Sequence, residues 1–328
     1  MTIHNIHDNL SFKNPVVAMG KFDGVHCGHV TMLNSVIDKA KKSEGESVVI
    51  TFNYPQSKDD KGAFCLTTPA EKREILQKTG IDRLIEIELD EEFKKMPAVD
   101  FIKKILFDII SAKHIIAGYD QSFGCGGEGS FETLQQYSAV FGFTVEQIPE
   151  LRLERNKISS SIIREALLAG ELDRANRLLG YDYSVTGTVI EGKKIGRRIG
   201  FPTANILPDA NKLIPAAGVY AVEVNAEFGH FNGMLSIGVN PTINPANRKI
   251  SIEVNIFDFD SDIYNENIVI IFKKRLRDEK RFESVEQLAA QMKLDKEKTL
   301  EALFESQNKK GSPTLPDLSG RRDSNPRP

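Results

Sequence analysis

Cysteine is scarce in this chain and nowhere paired in spacing. The 328 residues contain three, Cys27, Cys65 and Cys125, with no Cys-x-x-Cys among them. That argues against a disulfide framework or a zinc site and fits a reducing cytoplasm. Long apolar runs are missing as well: none approaches the ~20 residues that span a bilayer. The start, Met-Thr-Ile-His-Asn-Ile-His-Asp, has neither the basic nor the apolar stretch of a signal peptide. Nor is there an excess of one charge. The 43 Lys and Arg stand against 46 Asp and Glu, a formal net charge of −3, which gives no electrostatic reason to expect nucleic acid. With 40% hydrophobic and 27% charged residues, the composition is that of an ordinary soluble protein with room for roughly two domains. The expectation is a soluble cytoplasmic protein with neither membrane nor nucleic acid as partner.

What is present falls into two styles. In the first half, short apolar runs at 16–19, 47–52, 83–89, 114–118 and 144–148 read as strands. Between them lie helical spacings. One opens at Thr68-Pro69-Ala70-Glu71, an N-cap threonine with proline first and glutamate third. Another holds Phe101, Ile102, Ile105, Leu106 and Ile109 on one face. Such alternation predicts a parallel sheet covered by helices on both faces. Residues 159–169 read as a serine-capped helix and 171–179 as another. From Tyr183 the chain favours strands, at 183–190, 219–224, 231–237, 250–257 and 268–272, as in a small antiparallel barrel. Helical patterns return at 284–292 and 296–305. The expected domains are 1–182 and 183–306, with 307–328 a disordered tail.

Two constellations carry chemistry. After the first strand comes Gly20-Lys21-Phe22-Asp23-Gly24-Val25-His26-Cys27-Gly28-His29. Glycines keep side chains clear while two histidines face one way at a helix start near Gly28, a setting suited to nucleotide phosphates. Strand carboxyl ends are where such sheets bind ligands. Ser159, Ser160 and Ser161, with Arg164 in the first helical turn, add hydroxyls and a guanidinium for a triphosphate. A bare tight turn and ordinary serine caps are the plainer readings of these residues. The second constellation runs from the glycine-rich turn containing Gly192, Gly196 and Arg197 into Gly200-Phe201-Pro202-Thr203-Ala204-Asn205. It lacks the Gly-Lys-Ser/Thr ending of a Walker A loop. Thr203 and Asn205, two apart and on one face if extended, offer oxygens to a magnesium ion bridging ATP phosphates. The glycine run 124–129 reads as a mobile loop, and Lys273-Lys274-Arg275 as a wet, charged strand end.

From about Val16 to Leu303 the chain resembles the bacterial bifunctional riboflavin kinase/FAD synthetases. The family pattern Gly-x-Phe-Asp-Gly-Val-His-x-Gly-His is met at 20–29. Ile-Ser-Ser-Thr-x-Ile-Arg is met at 158–164 with Ser161 for threonine, and Gly-Arg-x-x-Gly-Phe-Pro-Thr-Ala-Asn is met in full at 196–205. The resemblance implies a Rossmann-like α/β nucleotidyltransferase domain followed by a small antiparallel β-barrel kinase domain with C-terminal helices. It implies riboflavin phosphorylation to FMN and adenylylation of FMN to FAD, with ATP as co-substrate and Mg²⁺ as cofactor, and leaves a homo-oligomer open. By the same resemblance Glu253 is the kinase's general base. His26, His29 and Arg164 serve adenylyl transfer; Gly20, Phe22, Asp23, Gly24, Gly28, Ser160, Ser161, Gly192, Gly196 and Arg197 bind ATP or phosphate. Asp120, Phe201 and Arg277 contact flavin, and Thr203 and Asn205 hold the metal. Three segments depart from the family. Asn53-Tyr54-Pro55-Gln56 stands where x-Pro-His-Pro is usual, Gln121-Ser122 where Phe-Arg is common, and Asn255 where histidine is common. The first two set the alternative of a riboflavin kinase with weakened or lost adenylyl transfer.

Overall fold

The computed structural model describes residues 1–53, 64–153, 156–192, 196, 200–240 and 249–309. The chain divides into two compact units. One is Met1–Leu168 with Asp209–Ile214; the other is Ala169–Pro208 with the chain from Pro215 onward.

In the first unit, β1 (Thr2–Asn5), β2 (Val16–Gly20), β3 (Ser47–Asn53), β4 (Arg83–Glu88), β5 (His114–Gly118) and β6 (Thr144–Ile148) form one sheet in the order β1-β4-β3-β2-β5-β6. Every pairing is parallel. Five of these strands fall on the expected apolar runs. The sixth, β1, is a mostly exposed edge strand, Thr-Ile-His-Asn, so it carries no buried face for a pattern to reveal. Side chains alternate between two core layers, as a pleated strand requires. Val17 and Met19 face one layer, Val16 and Ala18 the other.

Helix α1 (Cys27–Lys42) lays Met32, Leu33, Val36 and Ala40 on the Val16 layer. Helix α2 (Pro69–Thr79) adds Leu76. It opens with the expected capping box, Glu71 N–H donating to Thr68 Oγ1 at 3.3 Å and Thr68 N–H to Glu71 Oε2 at 3.0 Å. On the other face, α3 (Ala98–Phe101) passes into a wider π-turn over Ile102–Ile109, burying Phe101, Ile102, Ile105 and Leu106. Helix α4 (Phe131–Phe141) packs Leu134 on the same layer. The strand pair β7 (Arg152–Leu153) and β8 (Asn156–Lys157) leads into α5 (Ser160–Leu168). The glycine run 124–129 is pinned rather than loose: Phe123 and Gly129 exchange backbone hydrogen bonds of 3.0 and 2.8 Å. Glu128 also accepts from Ala98 N–H at 2.8 Å.

The second unit begins before residue 182, because α6 (Leu172–Leu179) belongs to it. Asn176 on this helix accepts from Tyr183 N–H at 2.9 Å and donates to Phe272 O at 3.2 Å. Strands β9 (Ser184–Ile190), β10 (Ala204–Pro208), β11 (Gly218–Ala226), β12 (Gly229–Asn240), β13 (Lys249–Ile256) and β14 (Asn267–Arg277) close into a barrel in the order β10-β13-β12-β11-β14-β9. All pairings are antiparallel, and closure removes exposed edges. The barrel is followed by α7 (Val285–Lys309).

Two helical patterns were expected at this end, and one continuous helix is found. It also runs through 307–309, where the tail was expected to start. Asp295, between the two expected patterns, faces inward, 1% exposed, and accepts from Arg277 at 2.6–3.0 Å. Lys273 is likewise not a wet strand end. It is buried between Asp182 and Glu223, which turn an unfavourable buried cation into a paired one.

Candidate active sites

The first site is a cavity of about 420 Å³ lined by the residues that follow β2, β5 and β6 and by the start of α5. Strand β2 connects onward to β3 on one side and β5 to β6 on the other. Neighbouring strands whose connections diverge leave a crevice at their carboxyl ends, and the motif at 20–29 enters it.

The motif's turn is a strained one. Phe22, Gly24 and Val25 have φ of 48, 80 and 34°, a region costly for a β-branched residue. Hydrogen bonds hold it there. Gly24 N–H donates to Thr67 Oγ1 at 3.0 Å, and Asp23 Oδ1 accepts from Leu66 and Thr67 N–H at 2.8 and 3.1 Å. The other Asp23 oxygen pairs with Arg164, whose Nε donates to Phe64 O at 2.9 Å. Ser160 Oγ donates to Asp23 O at 2.9 Å. Asp23 therefore turns its carboxylate toward donors, and the arginine beside the cavity is set by it.

His26 is the N-cap of α1, which begins one residue before Gly28. Its Nδ1 accepts from His29 N–H at 3.3 Å, so the ring proton resides on Nε2, the tautomer that can donate outward. The two imidazoles stack with centroids 3.7 Å apart and planes within 10°. A Cβ on Gly28 would lie 3.2 Å from the His26 ring, so the glycine admits the stack. Burial pushes His26 down to about 4. Burial first, then His26 and Lys72, holds His29 well below the usual histidine range. Both rings are neutral at pH 7 and act as hydrogen-bonding groups, not cations. His29 Nδ1 is buried without a partner, and Phe22 packs against that ring at 5.1 Å.

Gly20, Phe22, Asp23, His26, Gly28, His29, Asp120, Ser160, Ser161 and Arg164 all line this cavity. Asp120 is exposed, 3.9 Å from Lys157. Gln121 and Ser122 line the cavity too, whereas Tyr54, Pro55 and Gln56 lie outside the described residues. Sequence reasoning missed Lys72. Its buried ammonium donates to Thr51 Oγ1 at 2.8 Å, Asn53 Oδ1 at 3.1 Å and Lys21 O at 3.3 Å, and burial lowers it to about 8. A lysine in a helix's first turn is ordinarily solvated, so no pattern marks it.

The second site lies in the barrel unit. Asn205 on β10 pairs in register with Glu253 on β13, and Thr203 Oγ1 donates to Glu253 Oε2 at 3.2 Å. Three oxygen-bearing side chains are thus gathered where the 200–205 segment enters β10 beside β13. Asn255 Nδ2 donates to Pro202 O at 2.6 Å, fixing the segment that carries Thr203. Gly192 passes so close that a Cβ there would fall 1.9 Å from Asn205 Nδ2. Gly196 O accepts from Phe201 N–H at 2.9 Å. Arg197 lies outside the described residues. Beside Thr203 a cavity of about 410 Å³ is walled by Val189, Val254, Ile256 and the loop 259–264. That loop, Phe-Asp-Ser-Asp-Ile-Tyr, was not foreseen; its dense acidic spacing is the one signal it offers. Arg277 is not brought to this cavity. Its guanidinium closes on Asp295, and it lines a separate hollow with 170–174, Arg177 and 274–276.

Taken together, the two units define a two-domain transferase, one site built on an α/β sheet and the other on a closed barrel. The comparisons make the family plain. A family model described as FAD synthetase matches residues 9–162, and one described as riboflavin kinase matches 179–303. The bifunctional riboflavin kinase/FMN adenylyltransferase of Listeria monocytogenes is 39% identical, covering 87% of this chain and 91% of its own length. The protein of the same name from Pseudomonas fluorescens is 32% identical, with 89% and 94% covered. A crystal structure named macrolide-efflux protein from Streptococcus pneumoniae superposes with a TM-score of 0.81 at 33% identity, covering 91% of this chain and 99% of that one. The chain belongs to the bifunctional riboflavin kinase/FMN adenylyltransferase family. Among the described residues no helix is long and apolar enough to cross a membrane.

Proposed function

We propose that this chain makes flavin cofactors in two ATP-dependent transfers: riboflavin + ATP → FMN + ADP in the barrel unit, then FMN + ATP → FAD + pyrophosphate in the α/β unit. The observation that carries this is the presence of both domains in one chain, aligned along nearly the full length of relatives named for both activities.

In the kinase step the nucleophile is a neutral hydroxyl, so a base assists it. Glu253 is that base. It takes the hydroxyl proton as the oxygen attacks the γ-phosphorus and ADP departs, and the Thr203 hydrogen bond orients its carboxylate. Thr203 and Asn205 are neutral oxygen donors next to a carboxylate, which suits Mg²⁺: it binds through few protein oxygens plus substrate phosphates and retains waters. Held by Thr203 and Asn205, such an ion would supply positive charge to offset that of the ATP phosphates. Phe201 borders the flavin.

In the adenylyl step the nucleophile is an FMN phosphate oxygen, already ionised at pH 7. No base is needed, and catalysis reduces to alignment and charge stabilisation. His26 and His29 donate from their free ring edges to the α-phosphate region. The Ser161 hydroxyl, the backbone around Gly20 and Gly28, and the Arg164 guanidinium receive the departing pyrophosphate, while Gly24 N–H and the Ser160 hydroxyl, which donate to Thr67 Oγ1 and Asp23 O, hold the turn in place. Asp23 aims that guanidinium, and Asp120 faces the flavin side of the cavity. The protein works in the cytoplasm, which suits three cysteines that form no disulfide.

The test is direct. Purified protein with riboflavin, ATP and Mg²⁺ yields FMN and then FAD by chromatography, with ADP and pyrophosphate released. FMN without FAD, even with FMN supplied, refutes the adenylyl half; no FMN refutes the kinase half.

A further inference from the structure

The first unit contains six residues that the chain supplies late. After β10 the chain contributes Asp209–Ile214 to that unit before continuing at Pro215. These residues meet the stretch 64–67. Cys65 N–H donates to Asn211 O at 2.8 Å, and Leu213 N–H donates to Cys65 O at 2.9 Å. Between them Lys212 is 2% exposed. Its ammonium donates to Leu66 O and to Glu71 Oε2, both at 2.6 Å.

The same stretch faces the reaction cavity with its other edge. Leu66 and Thr67 N–H hold the Asp23 carboxylate, Thr67 Oγ1 accepts from Gly24 N–H, and Phe64 O accepts from Arg164. One peptide segment therefore has its Leu66 carbonyl tied to Lys212 and its amides tied to the strained turn of the phosphate motif. A charge-assisted hydrogen bond is short and directional, and a buried ammonium would not be held at Leu66 without a functional or structural return on its desolvation.

We propose that Lys212 is a positioning residue of the adenylyl-transfer site, fixing the 64–67 segment and, through Asp23, the angle at which Arg164 meets the triphosphate; this rests on the adenylyl-transfer reading of that cavity. Lys212 touches no reacting atom. It lies 141 residues from Glu71 and 146 from Leu66, beyond the segment matched by the FAD synthetase model, so the first site is finished by a residue from outside its own family segment.

The experiment uses the full chain. Lys212→Met is compared with Lys212→Met/Glu71→Gln, which removes the buried charge on both sides yet keeps an acceptor for Thr68 N–H. Rates are measured separately as FMN from riboflavin and FAD from added FMN, with ATP varied, alongside thermal melting. The single variant is expected to lose about tenfold or more of kcat/KM for ATP in FAD formation, since an ångström of misplacement suffices for such losses. FMN formation stays within about twofold of wild type. The double variant regains melting temperature but not FAD formation, because Leu66 O is still unheld. Wild-type FAD formation by the single variant overturns the proposal, as does recovery of rate together with stability in the double variant, which would make Lys212 a mere counter-charge. A wild-type protein that makes no FAD at all overturns the adenylyl reading itself, a different failure.

Discussion

Replacing Gly192 by alanine tests whether the oxygen cluster of the barrel works as a geometric unit. Gly192 does not occupy the positive-φ region, so alanine adds no backbone strain. The only cost is space. Its Cβ would sit 1.9 Å from Asn205 Nδ2 and 2.5 Å from Asn205 Cγ. To reach ordinary van der Waals separation the amide must retreat by roughly 1–1.5 Å. Asn205 faces Glu253 across the β10–β13 pair, so its retreat carries out of line the amide oxygen proposed to hold the metal. A misplacement of that size costs on the order of 100-fold in rate, equivalent to about 2.7 kcal/mol of transition-state stabilisation. The assay is FMN formation from riboflavin and saturating ATP, with Mg²⁺ titrated. The expected result is that loss, partly recovered at high Mg²⁺, with FAD formation from supplied FMN and the melting temperature unchanged. A G192A protein that makes FMN within about threefold of wild type refutes the reasoning, because Asn205 would then be dispensable where it stands.

Three further outcomes follow from the same geometry. Glu253→Gln keeps an acceptor for the Thr203 hydroxyl but cannot take a proton; FMN formation should fall by about 10²–10⁴ while FAD formation from added FMN persists, and equal loss of both would contradict the division of labour. Arg164→Lys cannot serve Asp23, Phe64 O and a phosphate at once as a planar fork does; FAD formation should drop by about 10²-fold or more with FMN formation intact. The third is a pH effect on stability. Burial holds His26 down to about 4 from the ordinary histidine value of 6.5, so its contribution is full above pH 6.5. As pH falls from there, the unfolded chain takes up a proton that the folded chain refuses until about pH 4, and stability drops across that window. Melting temperatures from pH 7.5 to 4 should therefore fall less steeply in His26→Asn, which retains a good N-cap. Equal slopes would show that the ring is not kept neutral by its burial.

Much of the α/β unit was readable because its four central strands are buried on both faces and its helices carry ordinary start signals. The Thr68–Glu71 capping box and the runs at 16–19 and 114–118 became the elements they announced. The barrel strands were readable for their β-branched runs, apart from β10. Ala-Asn-Ile-Leu-Pro pairs through its backbone on both sides and has little alternation of its own. At the other end, Lys273 was misread as solvated and the buried Asp295 passed unmarked for one reason: a charged side chain looks solvated until its partner is known. Arg277 and the Asp182–Glu223 pair supply those partners from distant positions.

The order of residues by itself determined the two chemistries, because glycines, histidines, hydroxyls and the Pro-Thr-Ala-Asn run sit contiguously and local backbone geometry presents them. Only the tertiary structure decided what holds them in place. The stacking of His26 on His29, the closing of Asp23 on Arg164, the crowding of Gly192 against Asn205 and the arrival of Lys212 beneath Leu66 are facts of three-dimensional proximity. The Asp23–Arg164 and Lys212–Leu66 contacts join residues 141 and 146 positions apart, and short-range pattern carries no record of which distant group will neutralise or support another.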